Sequence, residues 1–143
     1  MNFLEAMKSF YKRYFDFKSR SSVSEYWWFT IVFIVLFLVP FLWVLIDTGG
    51  APETMTHFQF YVMRFTSIFF VTHIVGFIAL NVRRLHDITY SGWWLILIGF
   101  FIIIPYFNAI VGLVYWTILS GSGDEGENKY GYNPLTQEID VFD

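Results

Sequence analysis

Three long stretches of this chain contain no Asp, Glu, Lys or Arg: Trp27 to Ile46, Phe65 to Val82 and Trp93 to Leu119. An uncharged, mostly apolar run of about 18 or more residues is long enough to cross about 30 Å of bilayer hydrocarbon as a helix. In a chain of 143 residues, three such runs leave little sequence for anything else. The fold class they predict is an all-α, polytopic membrane protein forming one domain. Composition agrees, because 56% of the residues are hydrophobic and 15% charged, more apolar surface than a soluble domain this small can enclose. There is no Cys, which excludes disulfides, thiolate chemistry and cysteine metal sites.

The first two runs predict membrane segments over 26–46 and 65–82. Ser22 to Glu25 has the form of a capping box that starts the first, and Pro40 predicts a kink within it. The third run is open to two readings. One tilted helix would put Trp93-Trp94 and Tyr115-Trp116 at opposite interfaces, giving three spans. A tight hairpin turning at Pro105 to Asn108 would give short segments over 92–105 and 107–119, with Gly99 and Gly112 letting the arms approach.

Residues 1–20 are too charged for a signal peptide, with Glu5, Lys8, Lys12, Arg13, Asp16, Lys18 and Arg20. They read as an amphipathic helix. Phe3, Met7, Phe10, Tyr14 and Phe17 recur at helical spacing, widened by Leu4, Tyr11 and Phe15, with Lys8, Lys12, Arg13 and Asp16 largely opposite. Such a segment lies in the membrane interface with its cations toward anionic headgroups; packing on the protein's own helices is the alternative, and the two can coexist. Basic residues are many before the first span, one in the connection from Asp47 to Arg64, and two (Arg83, Arg84) after the second span. That pattern predicts a cytoplasmic N-terminus. Residues 120–143 read as a flexible, solvated, acidic tail without the ligand pattern of a calcium loop.

The densest polar cluster is Arg83-Arg84-Leu85-His86-Asp87. Neighbouring helical residues point about 100° apart, so His86 and Asp87 do not naturally share a ligand position, while Arg83 and Asp87 can pair at i, i+4. The cluster predicts an ion-pair network with Arg20 and Glu25, or a cationic patch for anionic lipid headgroups. An enzyme acting on headgroups through His86 and Asp87 is the weakest alternative. No catalytic, cofactor or metal site is predicted, and no nucleic-acid partner. His73 lies mid-span, where an ionisable group is a functional candidate; the alternative is a neutral imidazole bonded to Thr72 or to a neighbouring helix. With Thr66, Thr72 and Asn81 it would support a small oligomeric transporter or channel. A Trp pair recurs after Arg residues, at Trp27-Trp28 and Trp93-Trp94, which interfacial anchoring alone also explains.

Three blocks, Phe17-Lys18-Ser19-Arg20 through Glu25-Tyr26-Trp27, Arg83-Arg84-Leu85-His86-Asp87 with Ser91-Gly92-Trp93-Trp94, and Asn128-Lys129-Tyr130-Gly131 with Asn133-Pro134, cover nearly the whole chain in order. In them the chain resembles the small bacterial inner-membrane proteins grouped as domain of unknown function 805. It departs from that family's pattern at Ser19, where Gly is usual, at Val23, where a second Arg is usual, and near Thr89, where the family has Gly. The resemblance implies a bacterial plasma-membrane location without an assigned activity. If its three blocks act together they share one face, which favours four membrane segments with both termini inside. The candidate functional cluster is then Arg20, Glu25, Trp27, Arg83, Arg84, His86, Asp87 and Trp93, with His73 as an intramembrane polar residue. The expected role is a non-enzymatic component that meets anionic lipid, a membrane-protein partner or a second copy.

Overall fold

The computed structural model describes residues 1–104 and 107–135. Among them the chain forms five helices, α1 (Phe3–Lys12), α2 (Val23–Thr48), α3 (His57–Asp87), α4 (Trp94–Ile103) and α5 (Phe107–Ser120), and no strand. Two of these, α2 with 26 residues and α3 with 31, are long and apolar enough to cross a membrane. A core helix of a soluble protein would bury such residues. Here only 17% of the most apolar window of α2 and 33% of that of α3 are buried, and Ile46, Phe65, Ile68 and Val71 stand exposed. This apolar belt is what lipid covers.

Ser22 accepts from the Glu25 amide at 3.3 Å and so starts α2, but the reciprocal half of the expected capping box does not form. The Glu25 side chain turns inward to arginines instead. Pro40 does not simply kink α2. A π-helical turn, Ile34–Leu38, precedes it. The wider turn makes room for a ring that cannot donate an amide and would crowd the carbonyl four residues earlier. Capping boxes missed in the sequence start α1, through Asn2 and Glu5, and α3, through Thr56 and Gln59. The second carries α3 well outside the uncharged window of 65–82, with Arg64 in its first turns.

The amphipathic pattern of residues 1–20 is helical only as far as Lys12, because Arg13 caps α1 and Asp16 then holds the amides of Lys18 and Ser19 in a turn. α1 packs on α2 and α3. Phe10 stacks on Phe29 with ring centroids 3.5 Å apart, and the Tyr14 hydroxyl donates to the Thr72 carbonyl at 2.5 Å. Gly76 permits this approach, since a Cβ there would stand 2.4 Å from the Tyr14 ring. The buried apolar core, Phe10, Tyr26, Phe29, Leu80, Leu85 and Leu119, gathers at one end of the bundle.

α4 and α5 pack against each other. Trp94 and Ile98 of α4 share one cavity wall with Tyr115 and Ile118 of α5 and with Leu85 at the end of α3. The arms are therefore antiparallel, and both α4's start and α5's end lie beside the end of α3. Gly99 and Gly112 do not mediate the contact, because a Cβ at either would meet nothing within 4 Å. Pro105 and Tyr106 of the expected turn lie outside the described residues.

Candidate functional site

The C-terminal ends of α1, α3 and α5 converge at one point. A helix end of that polarity carries unpaired carbonyls and about half a negative charge. Three of them together, with the carboxylates of Glu25 and Asp87, create a strongly negative pocket. Arg13, Arg20, Arg83 and Arg84 fill it. Four cations against two carboxylates would be an unstable excess in low dielectric; the helix carbonyls are what make the number sensible.

Each arginine has a separate task. Arg83 donates to Glu25 at 3.3 Å and to the carbonyls of Arg13 and Asp16 at 2.6 and 3.0 Å, holding the end of α1. Arg84 pairs with Asp87 and donates to the Leu119 carbonyl at 2.7 Å and to that of Gly121, holding the end of α5. Arg20 donates to Asp87 at 2.9 Å, then reaches the carbonyls of Asp124, Gly126 and Gly131 at 2.7, 2.5 and 3.1 Å. Arg13 completes the set, pairing with Glu25 and donating to the Arg20 carbonyl at 2.9 Å. Glu25 also accepts from the Ser21 hydroxyl at 2.6 Å, and its place in the first turn of α2 suits that helix's positive end.

The segment after α5 is not the free solvated tail that its composition suggests. From Gly121 to Asn133 it folds back over the cluster. The Asp124 amide donates to the Asp87 carbonyl at 2.9 Å and the Asn128 side chain to the His86 carbonyl at 3.0 Å, capping the last turn of α3. Tyr130 lies flat on His86, with centroids 3.6 Å apart. Gly123 allows the close passage, for a Cβ there would sit 1.9 Å from the Asp87 carboxylate. The Thr89 hydroxyl donates to Asp124, and Asn128 adds a second bond at 3.0 Å. The Thr89 hydroxyl, then the Asn128 amide, hold the exposed Asp124 carboxyl below the ordinary aspartate range.

Five predicted residues, Arg20, Glu25, Arg83, Arg84 and Asp87, thus come together, and His86 borders them. The expected i, i+4 pairing of Arg83 with Asp87 does not occur: Asp87 takes Arg84 and Arg20, and Arg83 takes Glu25. Trp27 is half-buried against Trp116 at 5.5 Å. Trp93 stands apart, 77% exposed at the start of the hairpin. The cluster is also closed. Arg20 is 2% exposed and Arg83 and Arg84 0%, so these three are not surface cations waiting for a headgroup. His86 points away from Asp87, its Nδ1 within 3.3 Å of the Lys18 and Ser19 carbonyls.

His73 sits ten residues before Arg83, about 15 Å along α3. Its Nδ1 meets the Thr72 hydroxyl and the Phe69 carbonyl, each at 2.9 Å, and its Nε2 meets the Tyr11 hydroxyl at 3.0 Å. Both nitrogens are engaged, and the residue ties α1 to α3. Thr66 and Thr72 donate to carbonyls of their own helix, and Asn81 bonds the Phe77 carbonyl and the Tyr115 hydroxyl. Composition alone missed Arg13, Ser21, Thr89, Gly123 and Asp124. The third family-like block, at Asn128 to Gly131, was the available signal that the last segment docks.

Comparison with known proteins places this arrangement. The profile of the family described as Protein of unknown function (DUF805) matches residues 14–132, which hold every member of the cluster except Arg13. Inner membrane protein YhaH of Escherichia coli (strain K12) is 30% identical over 129 residues, covering 86% of this chain and 90% of that protein. Inner membrane protein YhaI of the same organism is 28% identical over 123 residues, covering 86% of this chain and 89% of that protein. No solved structure matches the chain. The chain belongs to the family described as Protein of unknown function (DUF805), a family of inner membrane proteins with candidate transmembrane helices.

Proposed function

We propose that the protein is a non-enzymatic component of the bacterial inner membrane. Four membrane-embedded helices leave both termini on the cytoplasmic side, and α1 with the turn that follows it engages anionic lipid through Lys8, Lys12 and Lys18. The observation that carries this reading is a division of labour among the cations. Arg20, Arg83 and Arg84 are buried and, with the half-buried Arg13, spent on the chain's own acceptors, whereas Lys8, Lys12 and Lys18 remain exposed, as do the apolar side chains of Leu4, Tyr11 and Phe15. Apolar groups inserted among headgroups with lysines alongside are how an interfacial helix binds an anionic surface. The basic residues flanking α1 and α3 support a cytoplasmic cluster, and the return of α5 to Arg84 supports a cytoplasmic C-terminus.

A catalytic role has little to draw on, because Asp87 is held by two arginines and the His86 ring is stacked and bonded. Lipid retention after detergent extraction tests the proposal. The triple variant Lys8→Gln/Lys12→Gln/Lys18→Gln is expected to lose most co-purifying phosphatidylglycerol while keeping its fold. Undiminished retention would overturn the lipid reading and leave the exposed face of α1 to a protein partner. A reporter fused after Asp143 tests the topology and is expected to be active only when cytoplasmic.

A further inference from the structure

The helices differ in length by more than a factor that one flat bilayer can accommodate. At about 1.5 Å per residue, α2 and α3 extend about 39 and about 46 Å, whereas α4 and α5 extend only about 15 and about 21 Å. The hydrocarbon core is about 30 Å thick. Both arms of the hairpin are anchored at the same level. Trp94 lines the same cavity as Leu85 at the end of α3, and the last turn of α5 is bonded to Arg84. Their far ends, at Ile103 and Asn108, therefore lie about 15 to 21 Å from that level, near the middle of an ordinary bilayer.

Mid-membrane is a poor place for them. Asn108 is exposed, and its side-chain oxygen accepts from the adjacent Ala109 amide at 2.7 Å. The amides of an α-helix's first turn have no partner within that helix. Lipid-exposed backbone outside a helix is not tolerated in hydrocarbon, where each unsatisfied group costs several kcal/mol, whereas compressing a bilayer costs fractions of a kcal/mol per Å. Lipid yields more cheaply than the protein does.

We infer that the chain thins the bilayer on its hairpin side by about 10 Å, about a third of the hydrocarbon core, so that headgroups and water reach Asn108. The partner surface is the bilayer itself, with short acyl chains preferred beside α4 and α5. On the opposite side the exposed belt of α2 and α3 holds full thickness. The molecule is a wedge between the two. This inference rests on the same-side return of the hairpin in the reading above, and the test separates them.

The chain has no Cys, so single cysteines report cleanly. Lys18→Cys, Asn108→Cys and Ser122→Cys variants are reconstituted in dioleoylphosphatidylcholine vesicles and exposed to a membrane-impermeant maleimide from each face. Lys18→Cys and Ser122→Cys labelling from one face and Asn108→Cys from the other is the expected result. Asn108→Cys unreactive from both faces, with the other two unchanged, would overturn the thinning alone. Lys18→Cys and Ser122→Cys labelling from opposite faces would overturn the topology on which it rests. The unaltered chain gives a second measurement. Quenching of its tryptophans by brominated lipid in mixed vesicles is expected to show dimyristoleoyl lipid preferred over dierucoyl lipid by about threefold or more. Equal preference would contradict the inference without any variant.

Discussion

The two ends of α3 are built on different principles. At the Asp87 end, side chains bind partners far away in sequence: Arg83 to Glu25 across 58 positions, Arg20 to Gly131 across 111. At the His57 end the bonds are local. Thr56 and Gln59 cap each other, the Thr48 hydroxyl turns back to the Val44 carbonyl, and the longest reach is from Gln59 to Asp47 at 2.5 Å. Between the ends the outer faces of the helices meet lipid, which gives no hydrophobic drive for their association, and the inner faces meet through rings such as Phe33 on Phe77, 4.5 Å apart. One end therefore joins α1, α2, α3 and α5 into a tertiary structure, and the other caps α3 and links it to α2 alone, through the Gln59–Asp47 bond.

Removing a carboxylate should expose that difference most strongly. Asp87→Ala leaves Arg20 and Arg84 buried without an anionic partner, a kind of loss that costs about 3–5 kcal/mol. Thr56→Ala removes one cap, worth about 1 kcal/mol. Unfolding in mixed micelles by a denaturing detergent is the measurement, and the midpoint should fall far more for Asp87→Ala. Equal shifts would mean that the two ends contribute alike.

A steric pair sharpens the comparison within the cluster end. Gly123→Val places a side chain against the Asp87 carboxylate, where even a Cβ has no room, whereas a Cβ at Gly126 meets nothing within 4 Å. Overpacking of this kind costs about 1–3 kcal/mol. Gly123→Val should release the segment from Gly121 to Asn133 to added protease while α2 and α3 stay intact, and Gly126→Ala should leave it protected. Release of neither segment nor stability in Gly123→Val would show that the docked loop adds nothing to the cluster.

The membrane helices were legible because absence of charge is a local property, visible in Trp27 to Ile46 without knowing any contact. The bounds of α3 were not, since its helix continues through Arg64 and Arg83, where charge-free counting stops. Arg83, Arg84 and Asp87 stood out as a group, but their pairing did not. Which arginine meets which carboxylate depends on where α1 and α5 end and where α2 begins, and no spacing rule within α3 contains that. The last segment was misread for a related reason. Its Gly, Ser and acidic residues resemble a solvated linker by composition, yet its backbone carbonyls are the acceptors that buried arginines need. The part of the docking made through backbone carbonyls leaves no trace in side-chain chemistry, and only Asn128 and Tyr130, in the third family-like block, carried a signal.

The smallest effect is expected at Thr89. Its φ of 66° is the left-handed conformation, which costs a non-glycine residue about 1–2 kcal/mol. What Thr gives in return is the hydroxyl donated to Asp124. Thr89→Gly relieves the strain and deletes the bond, so the net change in stability at neutral pH should be under about 1 kcal/mol. The pH profile separates the two contributions. Because Asp124 is held below its ordinary range in the folded chain, its contribution to docking is fully present above that range. It fades as the pH drops below about 4 and the carboxylate is protonated. In Thr89→Gly, the principal bond that lowers Asp124 is gone, so loss of protease protection over Gly121 to Asn133 should begin at a higher pH than in the unaltered chain. Superimposable pH profiles would assign Thr89 no electrostatic part in holding the segment, leaving its left-handed backbone without a compensating gain.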